Sequence, residues 1–451
     1  MTGDLFGPIF VPDVFREAVS GKAWLQAMLD AEAALAAAGA RVGLIPPEDS
    51  ESIARLCDAD LFDPGEIGQA GRAAGNPVPA LVRALTGKVS ATSEGAARHV
   101  HRGATSQDIT DTAAMLVSRR TLDLILVEVD GIAAACARLA EEHRDTLMAG
   151  RTLLQQALPT TFGLKAAGWL VSVLEARRRL RGLRGSGLAA QLGGAAGTLA
   201  SLGDSGLPVL REFALELGLP EPPVPWHTDR TRFSAIADAL SLLAGVLAKI
   251  SQDIILLAQT EVGEVAEPAG EGRGGSSTLP HKRNPILSVT AAANARRVQD
   301  LARTLKAAMA QEHERAAGAW HSEWEALSDA LALAGGAAAN VREATAGLEV
   351  FPEKMLENLG ATKGMLLAEN VTTVASEKLG RLKAHDLVEA ACRWALKHGK
   401  HLREELLQDA EIREVLSEGE IDAALDPAGY LGSAGSFVDR ALELYRGEEP
   451  S

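Results

Sequence analysis

The sequence predicts an all-α protein, and two observations carry that prediction. Ala, Leu, Glu and Arg are abundant while aromatic residues make up 4 % of the 451 residues, a mixture that favours helix over strand. Long apolar stripes also repeat with a helical period. The clearest is Phe233, Ile236, Leu240, Leu243, Leu247, Ile250, Ile254 and Leu257, an unbroken three-four alternation typical of a bundled helix. A second stripe, Met115, Leu122, Leu126, Val129, Ala133, Cys136 and Ala140, starts after the polar stretch Thr105-Ser-Gln-Asp. Cys136 lies within it and reads as core.

Three blocks follow from the punctuation. Residues 1–111 hold short helical patterns broken by Ile45-Pro-Pro and Gly75-Asn-Pro. Residues 112–350 hold the long patterns. A helix over residues 232–264 would run roughly 50 Å, longer than one small bundle covers, so neighbouring subunits are expected to bury its flanks. Residues 351–451 begin at Phe351-Pro352 and carry shorter helices.

Charge and cysteine usage exclude several functions. The formal net charge is −15, which argues against a general nucleic-acid binder but leaves room for a local basic site. Cys57, Cys136 and Cys392 are widely spaced and form no CxxC or Cys/His grouping, so neither a disulfide framework nor zinc is expected. No HExxH and no acidic calcium loop occurs, so no metal or other cofactor is expected. The first residues lack the basic and apolar regions of a signal peptide, and no run of about 18 uncharged apolar residues is present. A cytoplasmic location is the resulting expectation.

Three polar stretches could hold chemistry. Residues 267–285 interrupt two long helical patterns with four glycines, Ser276 and Ser277, and the basic pair Lys282-Arg283. Gly270 to Gly275 matches GxGxxG, but a long helix precedes it and Pro280 follows, so the dinucleotide reading fails. Exposed amides and cations in such a loop can hold an anion, and a serine there can act as nucleophile or base. A flexible solvated connector is the plain alternative. In residues 99–111, Thr105, Ser106 and Asp108 suit a helix start, whose free amides favour a carboxylate, and His101 could titrate near neutral pH. Residues 150–163 place Arg151, Thr152, Gln155 and Gln156 before a Pro-interrupted helix, where they read as loop-to-helix polar groups. His313 and His321 flank Arg315, Trp320 and Trp324 and read as structural or exposed.

Taken together and in this order, the three stretches resemble the fumarase/aspartase superfamily. Gly275-Ser-Ser-Thr-Leu-Pro-His-Lys-Arg-Asn-Pro285 is similar to its GSSxMPxKxNP signature, with Leu279 in place of Met. The resemblance spans essentially the whole chain. It implies a three-domain all-α subunit with a long central bundle, a homotetramer with a shared helical core, and active sites each assembled from three subunits. It implies Ser276 as the base that removes a proton alpha to a carboxylate, with Ser277 as the alternative. Lys282 and Asn284 match carboxylate-binding positions, Thr105 and Ser106 a hydroxyl pair, and Thr152 and Gln155 another polar wall. Arg315 is a further substrate-binding candidate.

Two departures narrow the substrate. Fumarases and adenylosuccinate lyases carry Thr-His where this chain has Thr152-Leu153. Adenylosuccinate lyases also carry an Arg where this chain has Trp324. A purine nucleotide is therefore not expected. Other stretches, among them His101-Arg-Gly-Ala-Thr-Ser-Gln-Asp, resemble the 3-carboxy-cis,cis-muconate cycloisomerases of that superfamily. That branch adds a carboxylate across a C=C bond in aromatic (protocatechuate) degradation, and His101 would orient or protonate. The alternatives are a C–N lyase releasing fumarate from a small substituted succinate, such as nitrosuccinate, and a catalytically silent homologue. Retention of Ser276, Lys282, Asn284, Thr105 and Ser106 speaks against silence.

Overall fold

The computed structural model describes residues 5–268 and 282–448. Long helices dominate: α1 (Gly21–Arg41), α2 (Ser106–Glu142), α3 (Phe162–Gly182), α4 (Thr231–Leu257), α5 (Ile286–Ala307) and α6 (Ala319–Ala346). Among the described residues the strands form two antiparallel ribbons, β1 (Leu147–Thr152) with β2 (Gln155–Thr161), and β3 (Val265–Ala266) with β4 (Glu349–Val350). The fold class is all-α, as expected.

The apolar stripes are the core. All eight residues from Phe233 to Leu257 in the α4 series are buried. In α2 the buried seam runs through Leu122, Ile125, Val129, Ile132, Cys136 and Leu139, and the predicted Leu126 is half-buried beside it. Cys136 is fully enclosed, and burial pushes its thiol up to about 12, so it is inert packing. Two expectations need correction. The helix predicted over residues 232–264 stops at Leu257, where Glu264 turns back to donate its backbone N–H to the Leu257 carbonyl. Arg151 to Gln156 are not an open loop: Thr152 pairs with Gln155 in a hairpin, and Pro159 lies within β2 opposite Ala149 rather than in the helix, which begins at Phe162 directly after β2. α4 is the one described helix long and apolar enough to cross a membrane, and half of its apolar window is buried inside the protein.

The chain divides into two compact units. The first comprises Met1–Asp130, Glu175–Ser251 and Val289–Val341; the second comprises Gly131–Leu174, Gln252–Ser288 and Arg342–Ser451. In the first unit α1 packs against the helix Gly206–Leu217. In the second, helices α7 (Ala368–Leu379) and α8 (Arg381–His398) pack on each other around Val371, Ala375, Ala384 and Val388, closed by Leu402, Leu406 and Ile412.

Candidate active-site elements

In the first unit, the start of α2 organises a polar cluster. Asp108 is fully buried, and its carboxylate accepts the Thr105 N–H at 2.9 Å, half of a capping box. The same carboxylate takes the Gly193 and Gly194 N–H groups at 2.8 and 2.9 Å and faces His227 Nε2 at 2.7 Å. A side chain at Gly193 would bring a Cβ within 2.8 Å of His227 Cε1, so only glycine lets the loop close on Asp108. One carboxylate thus fixes the helix start, a glycine loop and a histidine.

Arg315 is drawn to that point. Its Nη1 donates to Thr105 Oγ1 at 3.0 Å and its Nη2 to the Ala195 carbonyl at 3.1 Å. Its Nε is buried with no hydrogen-bond partner among the described residues. Ser106 follows as the first residue of α2, and no partner for its hydroxyl occurs among the described residues. A guanidinium with a spare donor, two hydroxyls and helix N-terminal amides make a place for an anion. His101 lies four residues before Thr105 with φ 58°, and its Nδ1 is 2.6 Å from Glu32 Oε1. Burial pulls its imidazolium down, but the hydrogen bond and charge of Glu32, with Asp108 beyond, outweigh it and raise the pKa above the ordinary value. Of the expected site residues, the structure brings His101, Thr105, Ser106 and Arg315 to this one helix start.

A buried ion network underlies the cluster. Arg230 reaches Asp111 at 2.7 and 3.0 Å and Glu323 at 2.5 and 3.0 Å, and its guanidinium stacks over Phe233. Trp320 Nε1 donates to Asp111, and Gln107 joins Asp111 to the His227 carbonyl. Trp320 is thus a buried structural donor, whereas His313 and His321, expected to be structural or exposed, are exposed.

The second unit holds the other candidates. Thr152 and Gln155 are exposed on the hairpin beside its two-residue turn, Leu153 and Leu154, both with positive φ. Arg151 turns inward: it forms a bidentate pair with fully buried Glu264, at 2.6 and 3.0 Å, which Asn358 completes at 2.9 Å. Glu264 thereby anchors the hairpin to the segment leading into residues 267–285.

Both feet of that segment are held. The Glu267 carboxylate caps α5, accepting from Leu287 N–H, Ser288 N–H and the Ser288 hydroxyl at 2.6 to 3.0 Å. Arg283 returns to Glu349 and to the Glu267 carbonyl. Lys282 is exposed and Asn284 half-buried between these anchors. Ser276 and Ser277 lie outside the described residues.

Sequence reasoning missed Glu32, His227, Arg230 and Glu264. Each lies far along the chain from its partner, and the available signal was a charged residue inside an otherwise apolar segment, as Glu32 is within Ala31 to Ala38.

Comparison with known proteins places the chain in a family. The family model described as lyase matches residues 11–299, and that described as adenylosuccinate lyase C-terminus matches residues 364–441. A protein of Bradyrhizobium diazoefficiens named 3-carboxy-cis,cis-muconate cycloisomerase is 46 % identical over 439 residues, covering 97 % of each chain. A nitrosuccinate lyase of Streptomyces davaonensis is 45 % identical over 446 residues, 97 % of this chain and 94 % of that one. The crystal structure of the 3-carboxy-cis,cis-muconate lactonizing enzyme of Pseudomonas putida superposes with a TM-score of 0.94 at 42 % identity, covering 99 % of both chains.

Proposed function

Because this chain belongs to the fumarase/aspartase superfamily of lyases, we propose that it is a cycloisomerase acting on 3-carboxy-cis,cis-muconate. The observation that supports this reading best is identity of 46 % to a cycloisomerase across 97 % of the chain. In this reaction a substrate carboxylate oxygen forms a C–O bond to an alkene carbon. The π pair moves to the neighbouring carbon, which lies next to another carboxylate, and that carbon takes up one proton. Between the two events charge accumulates on the second carboxylate, so the site must hold a dianion with donors and cations.

The residues fit those tasks in the following way. Ser276 exchanges the proton at carbon, as base in the reverse direction. Thr105, Ser106 and Arg315 hold one carboxylate at the amino end of α2; Lys282 and Asn284 hold another; Thr152 and Gln155 wall the pocket. No external group departs, which is compatible with Leu153 where relatives with a leaving group carry His. The reading includes helical domains over 1–111, 112–350 and 351–451, a cytoplasmic homotetramer, and sites shared between subunits.

Loss of ultraviolet absorbance on mixing with 3-carboxy-cis,cis-muconate tests it, since lactonisation destroys the conjugated diene. Wild type is expected to bleach the substrate without added cofactor, and Ser276→Ala to lose at least 10³-fold in kcat with the fold intact. Activity surviving in Ser276→Ala would transfer the role to Ser277 or His101. A second reading, a C–N lyase, is favoured by the 45 % identity to nitrosuccinate lyase. Fumarate released from nitrosuccinate, with no bleaching of the muconate, would establish that reading instead.

A further inference from the structure

We propose that Glu32 is a positioning residue for this site: its buried carboxylate binds His101 through Nδ1 and holds the ring so that Nε2–H is the donor offered to a substrate carboxylate. The proposal rests on the functional reading above. Three features of the structure carry it.

First, the Nδ1 to Oε1 distance is 2.6 Å, short for a hydrogen bond between nitrogen and oxygen and expected when both groups are charged. Second, the Glu32 side chain is 0 % exposed and its Oε2 has no hydrogen-bond partner among the described residues. A carboxylate so enclosed requires a countercharge, and among the described residues His101 is the one cationic group within ion-pair distance. Third, His101 is held at φ 58°, a backbone conformation that side chains rarely adopt unless their surroundings impose it. Nδ1 being taken, Nε2 is the ring nitrogen with no partner among the described residues.

The other titratable groups around the pair are already matched. Asp108 of α2 is satisfied by His227 and three amides, and it adds negative charge near His101. Asp30, half a turn before Glu32, binds Arg120. Arg102 donates to the Leu44 carbonyl and lies beside His99, and Arg315 is held by Thr105. Cys57 senses Glu32, but burial first and then that charge push its thiol up, leaving it neutral. The imidazolium of His101 is therefore the positive end of a carboxylate–histidine pair, in which the carboxylate sets tautomer and orientation. Nε2–H donates to the carboxylate on which charge accumulates during ring closure. It is not consumed, and the proton gained at carbon comes by way of Ser276.

Glu32→Gln tests this, because the amide oxygen can still accept the Nδ1–H while the charge is gone. The proton on His101 is then held less tightly, so the alkaline limb of the kcat profile moves to lower pH. At pH 8 kcat is expected to fall at least tenfold with KM within threefold, and acidification to recover most of the loss. Glu32→Asp keeps the charge and is expected to keep the limb near its wild-type position. An equal loss at every pH with an unmoved limb, or no loss at all, would overturn the proposal. Titration of the His101 ring in protein labelled with 13C at histidine Cε1, assigned with His101→Asn, reads the pair without turnover. If wild type acts on neither the muconate nor nitrosuccinate, the functional reading has failed; a titration midpoint that still drops in Glu32→Gln upholds the pair, and one that stays sinks it.

Discussion

Arg230 sets the charge balance beneath the start of α2. It lies between Asp111 and Glu323 with all three side chains at 1 % exposure or less, so two carboxylates share one guanidinium. Burial pushes the Glu323 carboxyl up to about 7 against the pull of Arg230, and Asp111 adds to the rise. Its folded pKa thus exceeds the ordinary 4.5, so its contribution to stability is complete below that pH and is lost as pH climbs through about 7. The loss is of order 3 kcal/mol by linkage. Glu323→Gln cannot ionise and is expected to flatten the fall in urea-denaturation free energy between pH 5 and 8; an identical slope in both proteins would show that other groups cause it. Asp108 could be read from the sequence as a helix-start residue. Its grip on Gly193, Gly194 and His227 could not, because those partners are 85 to 119 positions away.

The hairpin formed by β1 and β2 shows the same division between local and distant causes. Its two-residue turn demands positive φ at both positions, which Asn-Gly meets at little cost and Leu153-Leu154 does not. Both leucines are also exposed, Leu153 at 96 %. Strained backbone bearing exposed apolar side chains is what an element offers when another subunit covers it, as the shared-site reading requires. Leu153→Asn with Leu154→Gly is expected to stabilise the isolated hairpin geometry by about 1 kcal/mol or more while lowering kcat/KM. Chemical denaturation and steady-state kinetics would check the two halves; unchanged kinetics would remove the tip from the site. Nothing in a Thr-Leu-Leu-Gln string announces such a turn, so the sequence pointed to a loop before a helix.

At the scale of the molecule, apolar residues remain exposed on the long helices: Val127 on α2, Val171 on α3, Leu242 on α4, and Ile286 and Val289 on α5. Under the proposed assembly these faces pack between copies of the chain. Light scattering is expected to return four times the 47.2 kDa chain mass, and a mass of one chain would end the shared-site reading.

The sequence by itself determined the all-α class, the apolar seams, the inert place of Cys136 and a helix start within Thr105 to Asp108. All of these follow from short-range periodicity and capping chemistry, which neighbouring residues decide. It also marked His101, Thr105, Ser106 and Arg315 as candidates. Only the tertiary structure decided that Arg315 meets Thr105 from 210 positions away, that Glu32 holds His101, and that Arg151 is spent on Glu264. Those pairings depend on how separate helices pack, and a buried charge carries no mark in the sequence of which distant charge will neutralise it.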